Sequence, residues 1–237
     1  MDIMGLDVGS RAAKSALLVG RKWSWGVADT MAWRDLLSSG TEVVATGYFR
    51  KKVPHTVEVT EITAAIHGVR HFIRGDVDAI VDIGAQDTKV IDLATGEFMM
   101  NDKCSAGTGA FLEFLASYFG LGMEELQEYH FRAGRTAEIN NTCAVFAQSE
   151  VVSRLVEGYT REEVIKGIHH AFARRIGQLI PQDADRVAFI GGVVKNRGVI
   201  DAFEKELGIR ALVPREPQVV NAVGALEYYM ARRGGPP

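Results

Sequence analysis

Three short apolar runs, each closed by a glycine turn, punctuate the chain. The first, Ile3-Met4-Gly5-Leu6-Asp7-Val8-Gly9-Ser10, ends in Asp-x-Gly-Ser and is followed by a second strand pattern, Ser15-Ala16-Leu17-Leu18-Val19. The second, Ala79-Ile80-Val81-Asp82-Ile83-Gly84-Ala85-Gln86-Asp87, repeats the run, the aspartate and the glycine. It leads into Thr88-Lys89-Val90-Ile91-Asp92-Leu93, the turn Ala94-Thr95-Gly96 and a further strand, Glu97-Phe98-Met99-Met100. Apolar stretches of this length bounded by Gly and Asp predict a β-hairpin meander, present twice. The third run, Phe189-Ile190, opens on Gly191-Gly192-Val193-Val194-Lys195-Asn196. Between the repeats, Ile62, Ile66, Val69 and Ile73 recur at helical spacing and predict a helix from Thr60 to Arg74. A second amphipathic pattern predicts a helix from Thr160 to Ile180, halted by Pro181. Strands followed by helices, in two copies, predict two α/β domains facing each other across a cleft.

The turns carry phosphate chemistry. Gly9 and Gly84 let the backbone approach a ligand, and Ser10 and Thr88 offer hydroxyl donors. Asp7 and Asp82 would repel a bare triphosphate but suit one carrying Mg²⁺, which hard carboxylates hold directly or through water. The Gly191-Gly192 turn could admit an adenosine against bare backbone. The pattern Gly-x-x-x-x-Gly-Lys-Ser/Thr is absent, and no strand and ribose-binding acid frame Gly107-Thr108-Gly109 as a dinucleotide turn.

Cys104 and Cys143 are the only cysteines, and each precedes an expected helix. A helix N-terminus carries unpaired N–H groups and partial positive charge, which favour a thiolate or a bound anion. Two cysteines cannot complete a four-thiolate site, whereas a symmetric dimer presents four, the usual complement of a [4Fe–4S] cluster. A disulfide or a pair of buried free thiols are the other readings open at this point. The composition is that of an ordinary globular chain: 237 residues, 47% hydrophobic, 24% charged, net charge -3. That balance gives no electrostatic case for nucleic acid or an anionic membrane, and no apolar run is long enough to span a bilayer. The start of the chain has no basic stretch ahead of an apolar one, so no signal peptide is expected, and a cytoplasmic protein is.

In order, Gly5-Leu6-Asp7-Val8-Gly9-Ser10, Thr46-Gly47-Tyr48, Asp82-Ile83-Gly84-Ala85-Gln86-Asp87, Asn101-Asp102-Lys103-Cys104-Ser105-Ala106-Gly107-Thr108-Gly109, Cys143-Ala144-Val145-Phe146-Ala147 and Gly191-Gly192-Val193 closely resemble the ATP-dependent activators of 2-hydroxyacyl-CoA dehydratases. The ATPase subunits of benzoyl-CoA reductases belong to the same family. The resemblance covers essentially the whole chain. It implies an α/β fold of two ribonuclease-H-like (actin-like ATPase) domains facing a nucleotide cleft. The first would span 1–74, with a helix at about 217–233 packing back on it, and the second 75–216, carrying the cysteines. It also implies a homodimer, or a pair of homologous subunits, sharing one [4Fe–4S] cluster. Ferredoxin or flavodoxin would reduce it, and ATP hydrolysis would send single electrons to an iron–sulfur dehydratase or reductase.

Residue by residue, the resemblance makes Cys104 and Cys143 the cluster ligands. It makes Gly9, Ser10, Arg11, Ala12, Ala13 and Lys14 the first phosphate loop, and Asp82, Gly84, Gln86 and Asp87 the second. Gly191, Gly192 and Asn196 would lie near the nucleoside of ATP or ADP, and Gly107 would join the cofactor-binding set. Asp7, Asp82 and Gln86 would be catalytic, Gln86 by orienting water. Hydrolysis would close the two domains and rotate the helices that hold the cysteines. Ala85 stands where glycine is common, Phe49 follows Thr-Gly-Tyr, Ile66-His67-Gly68 replaces Cys-His-Ala, and Gln148 replaces glutamate. A small-molecule kinase, or a non-redox nucleotide switch of the same fold, is the rival reading, and it gives the paired cysteines no purpose. His67 and His71 read as a helix-surface pair, and the adjacent His169 and His170 have no assigned role. Trp23, Trp25 and Trp33 read as core or edge packing. Arg232, Arg233 and the terminal Gly234-Gly235-Pro236-Pro237 read as a frayed tail.

Overall fold

A computed structural model describes residues 2–140 and 143–234, which divide into two compact units. One is Met1–Asp76 with Pro214–Pro237, the other Val77–Val213.

In the first unit the leading apolar run becomes β1 (Ile3–Val8), every residue of it buried. It pairs antiparallel with β2 (Ala12–Val19), and β2 with β3 (Lys22–Asp29). On its other side β1 runs parallel to β4 (Glu42–Thr46), and β4 to β5 (Val57–Glu58), giving the order β3-β2-β1-β4-β5. The edge strand β3 was not anticipated. Its aromatic residues sit among Lys22, Ser24 and Gly26, and Trp25 is 42% exposed. Trp23 and Trp25 pack edge-on against His71 and Phe72, with ring centroids 4.8 and 6.5 Å apart.

Helix α1 (Glu61–Phe72) starts at Thr60, whose hydroxyl accepts the Thr63 N–H at 3.2 Å, a cap worth about 1 kcal/mol. It ends two residues before the expected Arg74, where Ile73 turns extended. The C-terminal helix, Val220–Arg233, lies directly on α1 and β1 because glycines stand at the crossings. A methyl on Gly224 would fall 1.8 Å from the Ala64 carbonyl oxygen, one on Gly68 2.1 Å from that of Val220, and one on Gly5 1.9 Å from that of Ala222. His67 and His71 serve the same packing. His71 Nδ1 lies 2.7 Å from Glu227, and the His67 ring meets Tyr228 at 5.3 Å. Arg232 and Arg233 belong to the helix and not to a tail, since Glu42 gives Arg233 a bidentate partner at 3.1 and 3.2 Å. Tyr229 also donates to Glu42. Gly235, Pro236 and Pro237 lie outside the described residues.

The second unit repeats this topology. Strands β6 (Ala79–Ile83), β7 (Thr88–Asp92) and β8 (Phe98–Asn101) form the antiparallel meander. The helices that follow are α2 (Gly109–Tyr118), α3 (Leu126–Arg132), α4 (Ala144–Val156) and α5 (Arg161–Gly177). Then come β9 (Arg186–Ile190), parallel to β6, α6 (Arg197–Leu207) and the edge strand β10 (Arg210–Leu212). Read outward from the equivalent central strand, β8-β7-β6-β9-β10 is the order of the first sheet again. Phe172, Phe189 and Phe203 fill the core, with Phe189 and Phe203 4.6 Å apart.

A reciprocal capping box between Thr160 and Glu163 starts α5. The helix stops at Gly177, short of the expected Ile180. Leu179 and Ile180 bond back to the carbonyls of Ile176 and Gly177 in a tightened turn, and Pro181 comes only after it. No helix among the described residues is long and apolar enough to cross a membrane.

Candidate nucleotide and thiol sites

In the first unit, β1 and β2 meet in a tight turn. Gly9 N–H bonds the Ala12 carbonyl at 3.1 Å, and Thr30 Oγ1 donates to the Gly9 carbonyl at 2.7 Å. Ser10 is half-buried and Arg11 exposed. The expected phosphate loop is shorter than the residues assigned to it: Ala12, Ala13 and Lys14 already pair within β2, and Ala13 is buried opposite Val8. Strand register sets buried Asp7 opposite Lys14, whose Nζ reaches Asp7 Oδ2 at 3.0 Å. Gly47, just past β4, has φ +91°, and a methyl there would lie 2.4 Å from Asp7 Oδ1. The glycine of Thr46-Gly47-Tyr48 leaves room for that carboxylate.

The β6–β7 turn is built the same way. Gly84 N–H bonds the Asp87 carbonyl at 2.9 Å, Asp82 is buried at the end of β6, and Gln86 is exposed on the turn. Asp82 lies opposite Lys89, a residue the sequence reading missed; Lys89 Nζ donates to Asp87 Oδ1 at 2.7 Å. A signal for it was present, because Lys89 follows Asp82 at the interval by which Lys14 follows Asp7 (89 − 82 = 14 − 7). Ala85 brings no left-handed backbone strain where glycine is common, since no described residue other than glycine has positive φ.

This turn is bonded to the segment that carries Cys104. The first amides of α2 are spent on it: Gly109 N–H on the Gly84 carbonyl and Ala110 N–H on the Ala85 carbonyl, both 2.9 Å. Thr88 Oγ1 donates to the Gly107 carbonyl at 2.7 Å. A methyl on Gly107 would fall 2.6 Å from Ile176 and 2.7 Å from Asn101, so this glycine is a buried packing position and not an open cofactor contact. Asn101 Nδ2 donates to the Cys104 carbonyl at 2.8 Å. Cys104 therefore heads a 3₁₀ turn, Ser105–Gly107, and not α2 itself, whose N-terminus is already satisfied.

Cys143 is the N-cap of α4, and its carbonyl accepts the Ala147 N–H at 2.9 Å. Its approach is tied down by Arg154 Nε on the Glu138 carbonyl at 2.9 Å and by the Asn140 N–H on Glu150. Asn141 and Thr142 lie outside the described residues. Both thiols are free and half-exposed, which is the donor chemistry of a soft-metal or iron–sulfur site and half of a four-thiolate set.

At the end of β9, Gly191 has φ +100°, and a methyl there would lie 2.4 Å from the Ile83 carbonyl oxygen; Gly192 beside it is exposed. After a 3₁₀ turn, Val193–Lys195, Asn196 caps α6 by accepting the Gly198 N–H at 2.9 Å. Its Nδ2 donates to the Met123 carbonyl and to His169 Nε2, both at 3.2 Å. The Asn196 side chain is thus buried, and the bonds it makes support the turn.

His169 and His170 do not share a face, yet both have partners, which the sequence did not reveal. His169 Nδ1 lies 3.0 Å from His130 Nδ1, His130 Nε2 lies 2.9 Å from Asp201, and His170 Nδ1 lies 2.7 Å from Glu206. Burial pushes the His130 imidazole below its ordinary value against the pull of Asp201, and it pushes fully buried His169 much further, with His130 and His170 adding to the effect. One donor atom each from His130, His170 and Asp201 lie within 4.8 Å of one another. They are no ready metal triad, because His130 Nε2 donates to Asp201 and offers no lone pair.

Residues 36–228 match the BadF/BadG/BcrA/BcrD ATPase family. The (R)-2-hydroxyglutaryl-CoA dehydratase activating ATPase of Acidaminococcus fermentans is 34% identical over 95% of this chain and 95% of its own length. The solved activator of 2-hydroxyisocaproyl-CoA dehydratase from Clostridium difficile, with bound ADPNP, superposes with TM-score 0.86 at 30% identity, covering 100% of this chain and 99% of that one. At 16% identity, the ethanolamine utilization protein EutJ from Carboxydothermus hydrogenoformans shares the fold, with TM-score 0.58 over 96% of this chain and 90% of its own.

Proposed function

The chain belongs to the BadF/BadG/BcrA/BcrD ATPase family, and from that premise we propose that it is an ATP-hydrolysing activator delivering single low-potential electrons to an iron–sulfur enzyme. The partner would be of the 2-hydroxyacyl-CoA dehydratase or benzoyl-CoA reductase type, with ferredoxin or flavodoxin as the source of electrons. The observation that carries the reading is the Asp–Lys pairing beside a glycine turn, built in the same register in both units.

In this reading the turns Gly9–Arg11 and Gly84–Asp87 would turn backbone N–H groups towards the phosphates of ATP, those of Gly9 and Gly84 themselves being used to close the turns. Asp7 and Asp82 would hold Mg²⁺ directly or through water, and Gln86 would orient the attacking water. Lys14 Nζ holds the buried Asp7 carboxylate and Lys89 Nζ that of half-buried Asp87. Gly191 and Gly192 leave bare backbone for the adenosine. Cys104 and Cys143 would hold a [4Fe–4S] cluster, which supplies storage and release of one electron when bound. Two thiols per chain call for a second copy, and the apolar exposure of Phe98, Met99 and Met100 on the edge strand β8 supports one.

Coupling is argued from bonds within the second unit. The Gly84 and Ala85 carbonyls hold the start of α2, and Thr88 holds Gly107, so a shift of the turn on loss of the γ-phosphate is carried to the Cys104 segment.

The test is steady-state ATP hydrolysis. Asp82→Asn and Asp7→Asn are each expected to lower it about 100-fold or more, with circular dichroism unchanged. Hydrolysis at the parental rate in both would remove the Mg²⁺ assignment.

A further inference from the structure

We propose that His169 and His130 are positioning residues for the Gly191–Asn196 turn, holding it through a one-way hydrogen-bond relay that ends on Asp201. The proposal rests on the reading of that turn as the nucleoside element. The direction of the relay follows from Asn196. Its Oδ1 accepts the Gly198 N–H at 2.9 Å while its Nδ2 faces the Met123 carbonyl at 3.2 Å, so a flipped amide would oppose donor to donor and acceptor to acceptor. Nδ2 therefore also donates to His169 Nε2. Neutral His169 then carries its proton on Nδ1, and His130 Nδ1, 3.0 Å away, must accept it. His130 in turn carries its proton on Nε2 and donates to Asp201 Oδ2 at 2.9 Å. Asp201, also held by Lys205 at 2.8 Å, only accepts, and the chain ends there.

Packing gives a second, independent sign that the rings and the turn are one piece. A methyl on Gly198, in the first turn of α6, would lie 2.8 Å from His169 Nδ1 and 2.9 Å from His130 Cβ and Cγ. The start of α6 is pressed on both imidazoles, and only glycine fits between them.

A proton added to the relay breaks one of its links. On His130 Nδ1 it would face the His169 Nδ1–H, and on His169 Nε2 it would face the Asn196 amide. The surrounding charges act the same way for the most part. His170, bonded to Glu206 beside Arg174, and Lys166 both oppose a cation on His130; only Asp201, itself paired with Lys205, favours one. Both imidazoles thus titrate lower in the folded chain than the unfolded value of about 6.5. Their contribution is complete above about pH 6.5 and is lost as the pH falls from there through the folded values.

Two variants separate the links. His169→Gln places an acceptor where Nε2 stood and keeps Asn196 satisfied. His169→Asn places a donor where Nδ1 stood, keeps His130 satisfied and leaves Asn196 without its acceptor. By calorimetry at pH 7.5, ADP binding is expected to stay within about twofold of the parent in His169→Gln and to weaken about tenfold in His169→Asn, the worth of one hydrogen bond. Below pH 6.5 the parent loses ADP affinity, and His169→Gln loses less. Equal weakening in both variants, or none in either, overturns the proposal. Nitrogen-15 spectra of the parent read the tautomers directly even if a variant fails to fold: Nδ1–H on His169 and Nε2–H on His130 are expected, and Nδ1–H on His130 overturns the relay. Failure of the nucleoside reading looks different. The parent would then bind no ADP, while Gly198 amide exchange would still be faster in His169→Asn than in His169→Gln.

Discussion

Cys104→Ser and Cys143→Ser are each expected to strip the protein of iron while ATP affinity stays within about twofold of the parent, because a hydroxyl is too hard and too basic a donor to replace a thiolate. In a symmetric dimer one substitution removes two of the four ligands at once. Nucleotide binding survives because the link from Cys104 to the second phosphate turn runs through backbone. Asn101 holds the Cys104 carbonyl, Thr88 holds the Gly107 carbonyl, and the Gly109 and Ala110 amides hold Gly84 and Ala85. Serine leaves all of these in place. Absorption and iron analysis read the first half of the result and calorimetry the second. Electron delivery to a partner enzyme that persisted in either variant would contradict the role given to the thiols.

Gly224→Ala is the substitution expected to cost most stability. The new methyl would sit 1.8 Å from the Ala64 carbonyl oxygen and press on the Gly68 amide, and both are helix backbone that cannot rotate away. Separating the C-terminal helix from α1 also disturbs the buried contacts of Leu226, Tyr229 and Met230 with Ile3 and Val44. Overpacking of this kind costs about 3 kcal/mol or more, so the thermal midpoint should fall by roughly 6–12 °C. Gly96→Ala is the control. Gly96 has φ +75° but nothing within 4 Å of the added methyl, and it should cost only about 1–2 kcal/mol of backbone strain. Equal midpoints for the two variants would show that the helices can part without loss.

The doubled meander was legible because β1 and β6 are buried apolar runs closed by Asp and Gly, and a buried strand leaves that record in sequence. Strand β3 was not, because its residues meet solvent in alternation at a sheet edge and its tryptophans resemble loose packing. Strands β5 and β10 are two and three residues long, paired in parallel with segments distant in the chain, and no local pattern encodes them. In the candidate site, the glycine turns and the cysteines were readable as motifs. The extent of the first turn was not, since Ala12–Lys14 look the same in a loop as in a strand. Lys89 was legible as well, at the Asp-to-Lys interval that Asp7 and Lys14 share. The histidine relay was beyond local reading, because His130, His169 and Asn196 come from separate elements that meet only after folding.

Iron and acid-labile sulfide per chain, on protein purified without oxygen and of known oligomeric mass, test the central claim most directly. The account predicts dimers with about two irons and two sulfides per chain, one cubane for each pair of two-cysteine subunits. Iron-free protein that resists reconstitution yet still hydrolyses ATP would contradict it.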